Sequence, residues 1–243
     1  MRAKNSKVLL AGGGSGGHFY PLIAVANALG EEAARAGYAT DIRLFGDPGE
    51  YAPEFRASGI GVTHIAGVKW RRYFDLRNLW DALRFPWSLF EAFWKVFWFM
   101  PDACFTKGGP GALSVIYACR FYFIPIIVHE SDAVPGKTNQ IAGRSARIIE
   151  LAFPSAEPHF AKHRGVIRTV GNPVREAILR VRNASADDRR EYRRAFGFNP
   201  DEPVLLVLGG SQGAEPLNAF VLDHLAQLTN RFQVLHQTGQ KNF

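Results

Sequence analysis

Short apolar runs, each closed by glycine or a polar residue, recur along this chain at strand length. Residues 7–11 (KVLLA), 42–45, 103–106, 124–129 and 148–151 read as buried strands. Between them lie segments with alanine and leucine at helical spacing, notably 21–34 and 112–120. Strand alternating with helix is the pattern of an α/β fold, a parallel sheet wound on both faces. The pattern breaks near Gly171-Asn172-Pro173, and residues 183–200 are charged and rich in arginine, as a connecting helix or linker would be. It then restarts: 204–208 (VLLVL) runs into Gly209-Gly210-Ser211-Gln212-Gly213, a helix-like 217–228 and a strand-like 232–236. One such unit cannot bury both faces of its sheet, so the second domain reads as unfinished. The expected organisation is a Rossmann-like domain over 1–170, a linker over 171–200 and the start of a second Rossmann-like domain over 201–243.

A different pattern fills residues 70–100, where all five tryptophans fall. From Arg77, polar residues recur every three or four positions (Asp81, Arg84, Ser88, Glu91, Lys95), leaving Trp80, Leu83, Trp87, Phe90, Trp94 and Phe97 along an adjacent stripe. This predicts an amphipathic helix bent at Pro86. Just before it, Trp70, Arg71 and Arg72 mix cations with aromatics, as expected where a protein meets anionic headgroups. Part of the stripe is expected to pack on the sheet and part, Trp80 and Trp87 with Trp70, to face a membrane. The apolar stretch 85–100 is too short, and too interrupted by charge, to span a bilayer.

With 243 residues, 47% of them hydrophobic, the chain can bury a sizeable core and is not expected to be disordered. A net charge of +7 points to polyanionic partners without choosing among nucleic acid, anionic membrane and phosphate-bearing substrate. Two cysteines, Cys104 and Cys119, support neither a disulfide framework nor a cysteine-rich metal site, and a reducing compartment fits. The start of the chain lacks the long apolar region of a signal peptide, so export is not expected.

Chemistry enters with the glycine turns. Gly12-Gly13-Gly14-Ser15-Gly16-Gly17-His18 lies between a strand and a helix, where glycines turn the backbone tightly and bring N–H groups close to an anion. The same segment satisfies G-x-G-x-x-G at Gly12, Gly14 and Gly17, with Asp47 as a ribose partner, which keeps an NAD-dependent oxidoreductase open. Against that reading, glycine turns recur at Lys107-Gly108-Gly109-Pro110-Gly111 and at 209–213, which a single dinucleotide does not require. A non-catalytic membrane or nucleic-acid binding module, resting only on charge and aromatics, is the third reading.

Taken in order, Gly13-Gly14-Ser15-Gly16-Gly17-His18, then His129-Glu130-Ser131-Asp132 with Pro135-Gly136-Lys137-Thr138-Asn139, then Asn172-Pro173-Val174-Arg175, then Gly209-Gly210-Ser211-Gln212-Gly213-Ala214 resemble the MurG family of glycosyltransferases over nearly the whole chain. The resemblance implies the GT-B architecture, two Rossmann-like domains facing a cleft. It also implies transfer of N-acetylglucosamine from UDP-N-acetylglucosamine to lipid I, giving lipid II of peptidoglycan with inversion at the anomeric carbon. The enzyme would sit peripherally on the cytoplasmic face of the bacterial cell membrane, with UDP-N-acetylglucosamine, lipid I and the anionic membrane surface as partners and no nucleic acid. Members continue for roughly another hundred residues, so the chain by itself is expected to bind donor poorly and to be silent.

For individual residues, the resemblance implies that Ser15, Gly16 and Gly17 face the donor sugar, while Gly14, Gly108 and Gly109 face the acceptor pyrophosphate. Arg175 and Ser211 would contact the nucleotide donor, a role that suits a permanently charged fork at Arg175. Asp132 stands where many members carry asparagine. When ionised it would orient the acetamido sugar only by accepting, or help take the proton if it lies near the acceptor hydroxyl. His18 is the candidate general base, because an inverting transfer needs the acceptor hydroxyl deprotonated as it attacks and imidazole titrates near working pH. Its rival role is to hydrogen-bond the helix start. His129 and Glu130 rank below it, since polar residues at strand ends often serve only loop amides. No cluster at metal-ligand spacing appears, so no metal or cofactor is expected, and leaving-group stabilisation falls to amides, helix ends and Arg175.

Overall fold

The computed structural model describes residues 5–13, 16–67, 76–109, 111–210 and 213–239, the side chains of 76–83 excepted. Gly14, Ser15, Trp70, Arg71, Arg72, Ser211 and the Trp80 side chain lie outside the described residues. The chain divides into two compact units, Met1–Glu176 and Ala177–Phe243.

In the first unit, strands β1 (Asn5–Gly12), β2 (Ala39–Gly46), β3 (Gly61–His64), β4 (Ala103–Gly108), β5 (Ile126–Glu130), β6 (Ile148–Leu151) and β7 (Val166–Thr169) form one sheet in the order β3-β2-β1-β4-β5-β6-β7. Every described pairing is parallel. Helices α1 (Gly16–Arg35), α2 (Ala52–Ala57), α3 (Leu76–Phe99), α4 (Ala112–Phe121) and α5 (Lys137–Gly143) provide the crossovers. The two edge strands, β3 and β7, carry no continuous apolar run because each is covered less than the central strands.

Side-chain alternation on the strands divides the core in two. Leu9 and Leu10, adjacent and both fully buried, enter different clusters. Leu10, Leu44 and Phe105 pack with Phe19, Leu22, Ile23 and Ala26 of α1 and with Phe55 of α2. Leu9, Phe45, Cys104 and Val128 pack with Ala92 and Val96 of α3 and Val115 and Ile116 of α4. Each fully buried leucine or phenylalanine contributes about 1.5–3 kcal/mol of transfer free energy, so both faces are needed to hold the sheet.

Helix α3 runs through Pro86 without interruption, and its polarity is the reverse of a simple amphipathic reading. Its described inner face is Ser88, Ala92, Val96 and Phe99, all buried. Ser88 Oγ donates to the Ala66 carbonyl at 2.7 Å and lies 2.8 Å from Ser114 Oγ of α4. Glu91 accepts from the Ala66 amide, and Lys95 donates to the His64 carbonyl and to Glu91. The polar stripe therefore satisfies the backbone leaving β3, while Trp87, Phe90, Trp94, Phe97 and Trp98 stand 50% or more exposed. Tyr122 and the exposed Phe121 and Phe123 at the end of α4 continue this surface, with Phe93 packing on Phe121.

The second unit begins within α6 (Glu176–Val181), whose first residue closes the first unit. The charged stretch after it folds as α7 (Ala186–Ala195), started by Ser185 and Asp188 in a reciprocal capping box. Strand β8 (Val204–Leu208) pairs in parallel with β9 (Gln233–Gln237), Val204 opposite Gln233 and Leu208 opposite Gln237. The single helix expected between them is divided at His224 into α8 (Glu215–Asp223) and α9 (Leu225–Thr229).

Candidate active site

Strands β1 and β4 are neighbours from which the chain winds outward in opposite directions, the place where open α/β sheets bind ligands. Their carboxyl ends carry the two glycine turns of the first unit, and these turns lie backbone against backbone. A Cβ on Gly109, whose φ is +86°, would collide with the Gly13 carbonyl. A Cβ on Gly46, at the end of β2, would lie 2.7 Å from the Gly12 carbonyl oxygen. Gly108, at φ +71°, is faced by the Asn139 side chain. Only glycine lets three strand ends approach this closely, and the first turn of α1 (Gly16, Gly17, His18) opens onto the same place with the positive end of a 20-residue helix.

His18 is half-buried, and its Nδ1 is buried without a hydrogen-bond partner. Its pKa lies below the ordinary 6.5, first because of burial and then because of the Lys107 charge; the Lys107 carbonyl and the charges of Asp132 and Glu130 work the other way. The lowered pKa keeps the ring neutral at neutral pH, with Nδ1 enclosed by the protein.

Behind it lies a polar network that sequence reasoning did not resolve. Lys107, 1% exposed, places Nζ 3.0 Å from His129 Nδ1. His129 Nε2 lies 2.8 Å from the Gly171 carbonyl, which can only accept, so the ring carries its proton on Nε2 and accepts from Lys107 on Nδ1. Burial and the neighbouring ammonium lower the His129 pKa to about 4, and burial lowers that of Lys107 to about 8. Glu130 is spent on loop geometry: its carboxylate accepts from the amides of Asp132 and Gly136 and from Asn139 Nδ2. Asp132 itself is exposed and reaches His18 through its charge.

Arg175 follows Gly171 by four residues and sets its guanidinium carbon over the Tyr20 ring of α1, 4.0 Å from the ring centre. Tyr20 meets Tyr51 edge to face, and Tyr51 packs at a tilt against Phe19. This aromatic group borders Gly16, where an added Cβ would lie 3.1 Å from the Tyr51 hydroxyl. Gly16, Gly17, His18, Gly108, Gly109, Asp132 and Arg175 all fall in the first unit, at or after the ends of β1, β4, β5 and β7. In the second unit, the turn after β8 has Gly210 and Gly213 at φ +75° and +77°, and Asn218 behind it bonds Thr238 and His236. Among the described residues no three His, Cys, Asp or Glu side chains gather to hold a metal.

Residues 8–149 match the model of the glycosyltransferase family 28 N-terminal domain, and residues 204–243 match that of its C-terminal domain. The chain belongs to glycosyltransferase family 28. Among family 28 relatives, the Bacillus cereus (strain ATCC 10987 / NRS 248) UDP-N-acetylglucosamine–N-acetylmuramyl-(pentapeptide) pyrophosphoryl-undecaprenol N-acetylglucosamine transferase 2 is 35% identical over 97% of this chain and 63% of its own length. The Treponema pallidum (strain Nichols) transferase is 34% identical, over 97% and 59%. The chain thus spans about three-fifths of the length of these relatives. The crystal structure of Acinetobacter baumannii MurG superposes with TM-score 0.62 and 25% identity over 97% of this chain and 61% of that one. A UDP-GlcNAc 2-epimerase from Neisseria meningitidis, bound to UDP-GlcNAc, shares the fold at TM-score 0.59 and 14% identity, covering 94% and 64%. The architecture of this family 28 chain is α/β of the GT-B type. The oxidoreductase reading is not favoured: family 28 transfers sugars, and Asp47, its required ribose partner, accepts from the Gly49 amide at 3.1 Å.

Proposed function

We propose that this chain carries the acceptor-binding unit and the start of the donor-binding unit of an inverting transferase. It would move N-acetylglucosamine from UDP-N-acetylglucosamine to lipid I, the step that yields lipid II for peptidoglycan. The observation that carries the reading is the unprotonated, half-buried His18 beside two abutting glycine turns. The turns at Gly14 and at Gly108 and Gly109 face the acceptor pyrophosphate, with the Gly108 amide itself given to Thr106 Oγ1 at 3.0 Å, and Ser15, Gly16 and Gly17 face the donor sugar. His18 takes the proton of the acceptor hydroxyl as it attacks the anomeric carbon and UDP leaves with the bond electrons. Asp132 favours the imidazolium that results. Arg175, braced on Tyr20, and Ser211 contact the nucleotide. In this reading residues 1–170 form the acceptor and membrane domain, 171–200 link, and 201 onward begin the donor domain.

The exposed rings of α3 and the cations of the Trp70-Arg71-Arg72 segment moor the protein peripherally on the cytoplasmic face of the membrane that holds the lipid-borne acceptor. No helix of the described residues is long and apolar enough to cross a membrane. In a form as long as its relatives, the protein mixed with UDP-N-acetylglucosamine and a lipid I analogue releases UDP. His18→Ala abolishes release while leaving acceptor binding in place. Absence of UDP release from the unaltered protein discards the reading.

A further inference from the structure

Lys107 is the one buried ammonium group in the described core, and the reaction assigned above does not use it. Hydrophobic residues of similar volume fill such a space without desolvating a charge, so a lysine there needs a reason. Its hydrogen-bond partner among the described residues is not a carboxylate but His129 Nδ1, at 3.0 Å. The far nitrogen of that ring holds the Gly171 carbonyl at 2.8 Å, and Gly171 opens the segment that ends at Arg175 on Tyr20. Lys107 also immediately precedes Gly108, and its charge is felt at His18.

We propose that Lys107 is a positioning residue that fixes the His129 tautomer, so that His129 pins the Gly171–Arg175 segment beside the glycine turns. Its charge adds to the burial that holds the His18 pKa down. The ammonium donates to Nδ1, which forces the ring proton onto Nε2, the only tautomer that can donate to Gly171. Without that donor the ring is free to carry its proton on Nδ1, and two acceptors, Nε2 and the Gly171 carbonyl, then face each other. The charged and titratable groups facing Lys107 are His18 from α1, His129 and Glu130 from β5, and Asp132 just beyond β5. The carboxylates partly offset the desolvation that lowers its pKa. The statement about His18 rests on its reading as the base; the clamp on Gly171 does not.

The test uses the ¹⁵N-labelled 243-residue chain and reads histidine ring signals by NMR across pH. In the unaltered chain His129 shows the Nε2–H tautomer and stays neutral down to about pH 4. A second shift of its Nδ1 signal appears near pH 8, as Lys107 loses its proton. In Lys107→Met the alkaline shift is lost, the tautomer is no longer fixed, and the His18 midpoint moves up toward 6.5. Lys107→Arg restores the depressed His18 midpoint. A buried lysine that only filled space would leave the His18 midpoint and the His129 tautomer unchanged in Lys107→Met, and that result overturns the proposal. Should Lys107→Met give no folded spectrum, the alkaline shift at His129 in the unaltered chain decides, and its absence is equally fatal. None of these signals depends on sugar transfer, so a chain that passes while its longer form releases no UDP keeps the clamp and loses the transferase.

Discussion

Replacing Trp94 and Trp98 together by serine is the sharpest test of the proposal that the exposed rings of α3 meet a membrane. The two rings meet edge to face with centroids 5.9 Å apart and are 57% and 68% exposed. Tryptophan side chains present up to about 250 Å² each, so the pair offers about 300 Å² of free surface. At ~25 cal/mol per Å² that is about 7 kcal/mol for complete transfer to hydrocarbon. Rings that reach only the headgroup boundary realise about half, or about 3–4 kcal/mol, a 10²–10³-fold change in vesicle affinity. Sedimentation with sucrose-loaded vesicles of phosphatidylglycerol measures it directly. The buried face of α3, Ser88, Ala92 and Val96, is untouched by the change. The melting temperature should therefore fall by only about 5 °C or less, the loss of a ring pair worth about 0.5–1.5 kcal/mol. A double variant that melts normally and still sediments like the unaltered chain would refute this use of the surface.

Gly109→Ala places a Cβ against the Gly13 carbonyl at a φ of +86°; the left-handed strain of ~1–2 kcal/mol plus displacement of the facing turn should lower thermal stability by about 3 kcal/mol, seen by calorimetry. Acidification should weaken the fold between pH 6.5 and about 4, because the unfolded chain protonates His129 at its ordinary pKa while the buried ring resists. The loss is up to about 3 kcal/mol and should shrink in His129→Gln under urea titration at each pH. Cys104 and Cys119 are fully buried, and contact with the Cys119 thiol followed by burial pushes the Cys104 thiol up. A thiol reagent at pH 8 should thus label neither until the chain unfolds. Ser185→Ala removes the cap of α7 and should cost about 1 kcal/mol in the stability of the second unit, read by hydrogen exchange.

Central strands were legible because burial on both faces writes an uninterrupted apolar run, as at 7–11 and 103–106. Edge strands β3 and β7 were not, since half-covered strands such as Gly61–His64 show no such run. The glycine turns announced themselves by composition, but that Gly109 touches Gly13 is a matter of strand order, and nothing local encodes it. Lys107 carries no mark of its role in the sequence, because a lysine beside glycines is indistinguishable from a solvated one until the sheet closes around it. The pairing of Arg175 with Tyr20 joins positions 155 residues apart and had no signal at all.

Helix α3 shows why the hydrophobic stripe alone misplaces a helix. Its period was readable, but not which stripe faces inward, since two serine hydroxyls can be buried, and a Glu–Lys pair half-buried, when backbone groups await them, as Ala66 and His64 do here. That arrangement carries a mechanical consequence. Ala66, fastened to Ser88 and Glu91, precedes Gly67, which lies against Gly111 of the β4 glycine turn: a Cβ on Gly111 would come within 3.4 Å of the Gly67 Cα. The exposed rings and the glycine turns are thus joined through a few short hydrogen-bonded steps within one unit. A headgroup held by those turns would sit at a fixed height above whatever surface the rings enter, which is what the proposed transfer to a lipid-borne acceptor would need.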